Sequence, residues 1–287
     1  MHTLKNDLRI PPWLRVKLPG NKNFASTGEL LEGLGLNTVC QNAKCPNIFE
    51  CFSQKVATFL ILGQNCSRNC AFCNINSSSP EPVDETEPKR VAKAVERLGL
   101  RHAVITSVTR DDLADGGADH FAQTIKEIRG INNQTTLEVL IPDFKGDEQA
   151  LKTVLNERPE ILNHNVETAP ELYPEIRPQA DYKQSLKVLN RAKELNPEGK
   201  IKSGFMVGLG ETDEQVKQIL RDLYRTGCDI VTIGQYMRPS RNHPPVKRYV
   251  HPEAFEKYQK TGEDMGIAHV FSAPLVRSSY NAAMFVD

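Results

Sequence analysis

Six of the seven cysteines in this chain of 287 residues lie between Cys40 and Cys73, in two groups of three. The first group is C-x4-C-x5-C, at Cys40, Cys45 and Cys51. The second is C-x3-C-x2-C, at Cys66, Cys70 and Cys73. A tetrahedral zinc site usually draws on two C-x-x-C pairs, or on Cys and His pairs. Triplets suit different chemistry. Iron–sulfur clusters of the four-iron type normally take four thiolates, so a cluster held by three leaves one iron open for another ligand. The alternatives are a zinc knuckle completed by a distant Cys or His at Cys66–Cys73, and a structural zinc site stapling the N-terminal arm at Cys40–Cys51. Disulfides do not suit clustered cysteines in an intracellular chain. Cys228 stands alone and reads as a small buried core residue.

Other groups that could touch a ligand follow apolar runs. Short apolar or β-branched runs at Ala57–Leu62, Ala103–Val108, Leu137–Ile141, Ile161–Asn165, Ile201–Val207 and Ile230–Gly234 alternate with amphipathic stretches. Those stretches are Lys89–Leu98, Ala118–Ile128, Asp147–Leu155, Asp181–Leu195, Asp213–Tyr224 and Glu253–Met265, several opened by Pro88, Asp147, Asp181, Thr212 or Pro252. The alternation predicts an α/β fold: a partial (βα)6 TIM-type barrel with N-terminal and C-terminal extensions. A doubly wound sheet is the alternative, without a G-x-G-x-x-G turn to support it. Chemistry in such barrels gathers where strands end. The first run leads into the Cys66 triplet, the second ends at Thr106 and is followed by Arg110-Asp111-Asp112, and the third ends at Pro142-Asp143. Glu167 and Glu211 follow the fourth and fifth runs, either as partners for polar ligand groups or as solvated glutamates. Lys202 is out of place in a strand unless it faces a polar cavity. Asn163 and Asn165 share one strand face, with His164 pointing away in a structural role. Gly116-Gly117 and Gly208-Leu209-Gly210 are either loop glycines or points of close ligand approach.

Lysine plus arginine equals aspartate plus glutamate, 36 each. A neutral chain without basic-aromatic interleaving predicts no nucleic-acid partner. Met1–Arg9 has no signal-peptide core, and the run Ala57–Leu62 is too short to span a bilayer. Together these predict a cytoplasmic protein with no membrane partner. Residues 1–55, punctuated by Pro11, Pro12, Pro19 and Gly20, carry little pattern beyond a short helix capped at Ser26 and ending at Gly35, so a metal site must hold this segment together.

The second triplet, with Phe72 before its last cysteine, resembles the radical S-adenosylmethionine (SAM) signature. Joined to the first triplet and to Arg277-Ser278-Ser279-Tyr280, it resembles the lipoyl synthase family, from Pro12-Trp13-Leu14-Arg15 to Tyr280. The resemblance implies a radical SAM barrel over 56–267, an extension over 1–55 carrying an auxiliary cluster, and a tail over 268–287 closing over it. It implies two [4Fe-4S] clusters and SAM. One cluster on Cys66, Cys70 and Cys73 would chelate SAM and release a deoxyadenosyl radical. The other, on Cys40, Cys45, Cys51 and Ser279, would be consumed as sulfur donor. Phe72 would wall the adenine, Thr106, Asn163, Glu167, Lys202 and Glu211 would bind SAM, and Arg277 would join the catalytic set. The reaction implied is insertion of sulfur at C6 and C8 of a protein-bound octanoyl-lysine. Unactivated C–H bonds of that kind lie beyond acid–base catalysis and within reach of a radical cofactor. Implied partners are octanoylated lipoyl-carrier domains of 2-oxoacid dehydrogenase complexes and of the glycine-cleavage carrier protein. A low-potential donor such as ferredoxin or flavodoxin and an iron–sulfur carrier for cluster rebuilding are implied as well. The rival readings are another sulfur-inserting radical SAM enzyme and a zinc-stabilised binding module.

Overall fold

The structure, a computed structural model, describes residues 9–16 and 23–286. The features read at Met1–Leu8, Pro19 and Gly20 lie outside the described residues.

The N-terminal arm holds helix α1 (Asn23–Gly33), the short strand β1 (Asn37–Thr38), and short helices α2 (Val39–Asn42) and α3 (Ile48–Ser53). Helix α1 is already formed at Asn23, three residues before the predicted cap. Ser26 therefore lies within the helix, its hydroxyl donating to the Asn23 carbonyl. Strand β2 (Thr58–Ile61) opens the barrel, and the two-residue strands β3 (Asn65–Cys66) and β4 (Asn76–Ser77) pair to close the base of the second cysteine loop. Strands and helices then alternate: α4 (Glu87–Leu98), β5 (His102–Ser107), α5 (Ala118–Ile131), β6 (Thr136–Leu140), α6 (Glu148–Asn156), β7 (Ile161–Asn163), α7 (Tyr173–Ile176), α8 (Tyr182–Leu195), β8 (Lys200–Val207), α9 (Asp213–Arg225), β9 (Ile230–Gln235), α10 (Pro252–Asp264) and β10 (His269–Ser272).

The predicted start signals work as local chemistry. Asp147 and Asp181 accept backbone N–H groups of α6 and α8, Thr212 and Gln215 form a capping box on α9, and Pro88 and Pro252 sit in first turns.

The sheet order is β1-β2-β5-β6-β7-β8-β9-β10, parallel from β2 onward, with β1 antiparallel. Spatial order follows chain order, as in a barrel; a doubly wound sheet reverses it. Strand β9 is buried along its whole length, as expected for a parallel strand covered on both faces. The partial barrel predicted from the six runs is present, with a seventh parallel strand, β10, inside the segment assigned to the tail. Beyond β10 the chain turns into the barrel. Its last turn, Ala282–Phe285, closes the end where the strands begin, and Phe285 packs there with Ile161 and Ile230.

Candidate active site

The second triplet sits on the loop leaving β2, at the rim where parallel strands end. Arg68, between Cys66 and Cys70, anchors that loop. Its guanidinium donates to Asp111 at 2.7 and 3.0 Å and to Asp143 at 2.8 and 2.7 Å. These aspartates follow β5 and β6, so one arginine fork ties the cysteine loop to two strand ends. Burial alone would raise Asp143, yet the Arg68 guanidinium holds its carboxyl down to about 2. Cys66 accepts the Thr109 backbone N–H at 3.3 Å. His243 reaches the Cys73 carbonyl at 3.1 Å from the loop after β9.

Glu167 and Arg177 face this loop. Burial raises the Cys70 thiol, with Arg177 lowering and Glu167 raising it. Burial also raises Glu167, which stands at φ 65 and accepts the Asn165 amide at 3.1 Å. Arg177 was not singled out from the sequence. The only signal for it is its place beyond the fourth strand end. Phe72 packs with Ile176, Leu209 and Tyr236.

The first triplet lies beside the C-terminal tail. Burial raises Cys40 to about 11, offset in part by the Thr58 backbone N–H. The Thr58 hydroxyl donates to Ser279 Oγ at 2.7 Å. Burial raises Cys45, and Arg277 opposes the rise. Burial takes Cys51 up to about 12, with Cys40, Cys45 and Glu50 adding to it. Three further contacts join tail and arm: the Asn47 amide to the Leu275 carbonyl at 2.7 Å, and the Tyr280 hydroxyl to both Glu50 oxygens at 3.1 and 3.2 Å. Each triplet therefore has one cysteine facing an arginine, Arg277 at Cys45 and Arg177 at Cys70. The two loops touch where the Asn74 amide donates to the Asn42 carbonyl at 2.7 Å. Ser278 donates to Asn165 at 2.8 Å, and Asn165 donates on to Glu167. A polar relay thus runs from the tail to the second triplet.

The donor set fits polynuclear clusters. Burial makes bare thiolates costly here, and bound iron would offset that cost, because a metal deprotonates its thiols outright. Among the described residues no group of three or more His, Cys, Asp or Glu converges on one metal ion. An iron–sulfide cube is wider than an ion, so its thiols stand further apart than zinc ligands do.

Four residues expected at SAM have other partners. Lys202 pairs with Glu138 at 2.9 Å, both fully buried, and its ammonium lies 5.0 Å from the centre of the Phe285 ring. Asn163 donates to the other Glu138 oxygen at 2.9 Å. Lys202 lies four residues before Met206, whose N–H bonds the Glu167 carbonyl at 2.8 Å, so it sits roughly 13 Å further down the strand. The polar cavity predicted for Lys202 is a closed layer above the Phe285 plug. Thr106 donates to the Leu140 carbonyl on the neighbouring strand at 2.8 Å. Glu211 accepts the N–H groups of Gly208, Leu209 and Gly210 at 2.7, 2.9 and 3.2 Å, so its carboxylate shapes its own loop. His164 is structural, bonding the Ile141 carbonyl at 2.9 Å, and burial lowers it to about 4. At Gly116 and Gly117 an added Cβ would strike Phe144 at 2.9 Å and Leu62 at 2.4 Å, so their room is taken by packing.

A profile of the radical SAM superfamily matches residues 60–223, and one for the N-terminal domain of lipoyl synthase matches 2–45. The chain is similar to the lipoyl synthase of Nitratidesulfovibrio vulgaris, 65% identical over 275 residues and covering 96% of this chain and 92% of that one. It is 62% identical over 280 residues to the lipoyl synthase of Oleidesulfovibrio alaskensis, covering 98% and 96%. Among solved structures, HydG, a maturase of the [FeFe]-hydrogenase, matches with TM-score 0.56 at 14% identity, covering 86% of this chain and 68% of that one. At that identity the likeness concerns the fold alone.

Proposed function

Because the chain belongs to the lipoyl synthase family of the radical SAM superfamily, we propose that its two cysteine triplets divide one sulfur-insertion reaction between them. The enzyme is a sulfurtransferase that uses [4Fe-4S] clusters and SAM, and its substrates are octanoylated lipoyl-carrier proteins. Cys66, Cys70 and Cys73 are the residues to hold the SAM-binding cluster. When bound, that cluster and SAM supply the one-electron chemistry that takes hydrogen from an unactivated carbon. Arg68 keeps the cysteine loop seated on the strand ends. Glu167, Arg177 and Phe72 offer SAM an acceptor, a cation and an apolar wall.

Cys40, Cys45, Cys51 and Ser279 hold the sulfur source, a cluster consumed as co-substrate. The observation that carries this division is the tail's attachment to the first triplet: Thr58 touches both Cys40 and Ser279, Arg277 faces Cys45, and Tyr280 bonds Glu50 beside Cys51. The barrel shields reactive species from water. A consumed cluster calls for an iron–sulfur carrier, and SAM cleavage calls for a low-potential donor such as ferredoxin or flavodoxin. Among the described residues no helix is long and apolar enough to cross a membrane.

The test is anaerobic incubation with an octanoyl-lysine peptide, SAM and a strong reductant, followed by mass measurement. A peptide carrying two added sulfurs supports the reading; deoxyadenosine without any thiolated peptide sinks it.

A further inference from the structure

We propose that Gly204 and Gly234, on the inner face of the barrel, are the seat of the C-terminal tail and set the position of Ser279. The proposal rests on the reading of Ser279 as a ligand of the sulfur-donating cluster.

The two glycines lie on neighbouring strands, where Gly204 pairs with Thr232 and Met206 with Gly234. Neither has a positive φ, so backbone conformation does not call for glycine at either place. Glycine within a strand weakens it, and commonly marks close approach of a ligand or another backbone. Here the approaching backbone is the chain's own tail. After β10, the Ala273 N–H bonds the Ile233 carbonyl and the Gln235 N–H bonds the Pro274 carbonyl, both at 3.1 Å. The tail then crosses Gly234. A Cβ built there would stand 2.0 Å from the Val276 carbonyl oxygen, 3.0 Å from its carbon and 3.1 Å from Arg277 Nη1. Next it passes Gly204, where a Cβ would stand 2.4 Å from Thr232 Oγ1, 2.9 Å from Ser278 Oγ and 3.0 Å from Asn165 Oδ1. Beyond this point Ser279 receives the Thr58 hydroxyl.

The two contacts differ in kind. At Gly234 the obstacle is mainly backbone, which no rotamer change relieves, so the tail itself must move. At Gly204 the obstacles are side-chain ends that can turn away. A methyl group at Gly234 would lift Val276 and Arg277 and carry Ser279 away from Thr58 and Cys40. The two hydrogens that replace side chains on β8 and β9 thereby position a ligand on the far side of the barrel interior.

The test compares full-length wild type, Gly234→Ala, Gly204→Ala, Gly204→Val and Ser279→Ala after anaerobic reconstitution. Two quantities are read: amide hydrogen exchange of residues 275–286, and iron per chain. For Gly234→Ala, exchange in the tail rises about tenfold or more, as local opening becomes cheaper, and iron falls towards one cluster's worth. Gly204→Ala, the milder change, moves both in the same direction by less. Ser279→Ala lowers iron while the tail stays protected. Wild-type tail exchange in folded Gly234→Ala overturns the seat; if that variant does not fold, wild-type exchange in Gly204→Val, whose bulk the turning of side chains cannot absorb, overturns it. A freed tail with full iron in Gly234→Ala supports the seat and overturns the ligand reading of Ser279 instead.

Discussion

Thr58 donates its hydroxyl to Ser279 across 2.7 Å, joining the first residue of the first parallel strand to a motif 221 positions later. The Thr58 backbone N–H also lowers the Cys40 thiol, so a single threonine bears on a cysteine of the first triplet and on the serine of the tail.

Ser279→Ala is expected to lower lipoyl product far more than it lowers deoxyadenosine formation. Thr58→Val, which removes only the hydroxyl that orients Ser279, is expected to lie between wild type and Ser279→Ala. Product and deoxyadenosine quantified in one reaction check this. Wild-type product yield from Ser279→Ala would remove the serine from the mechanism.

Cys70→Ala is expected to abolish deoxyadenosine formation. Cys45→Ala is expected to retain some SAM cleavage and give no thiolated product. Cys228, buried with its thiol 3.2 Å from the Ile230 carbonyl, lies outside both triplets. Cys228→Ala should cost only about 1 kcal/mol of packing in a denaturant titration. Thiolated product from Cys45→Ala would contradict the assignment of the sulfur source.

Arg68→Ala strips four hydrogen bonds from the cysteine loop and leaves the buried Asp143 carboxylate without its cation, with the Lys145 backbone N–H still bonded to it. Loss of one member of a buried pair costs about 3–5 kcal/mol. Arg68→Lys should recover little, because one ammonium cannot serve both aspartates as a planar fork does. Denaturation midpoints measure the loss, and iron retention in the folded fraction measures loop seating. Wild-type stability in Arg68→Ala would show the clamp to be idle.

Asp143 carries an acid limit. Its folded pKa, about 2, lies below the ordinary aspartate value near ~3.9. A depressed carboxylate contributes stability that is complete above about pH 4 and is lost as pH falls towards about 2, roughly 2 kcal/mol in all. Unfolding curves across this range should lose that slope in Asp143→Asn.

Lys202→Met is expected to destabilise the protein, since it strands the Glu138 charge in the core, and to leave SAM affinity near wild type. The double change Lys202→Met with Glu138→Leu should restore much of the stability, as replacing a whole buried pair often does. A large loss of SAM affinity in the single variant that persists in the double would return Lys202 to the cofactor site.

The cysteine triplets were legible because ligand spacing within one loop is a local property. The six βα repeats were legible for a similar reason: strand and helix periods, Pro88, Thr212 and the capping aspartates all act within a few residues. Strand β10 escaped because a four-residue run beginning with exposed His269 carries little periodicity, and its strand character comes from pairing with β9. Lys202 announced a polar neighbour inside the barrel. Only folding decided that the neighbour was Glu138, 64 residues away, with Phe285 beneath it. Arg68 and Arg177 look like ordinary charged loop residues until the strand ends bring Asp111, Asp143 and Cys70 to them. The residues by themselves determined which chemistry the chain carries, because thiols must be present in number and spacing to hold iron. The tertiary structure decided which arginine, threonine and serine stand beside those thiols, because such contacts join segments whose separation in the chain leaves no periodic trace.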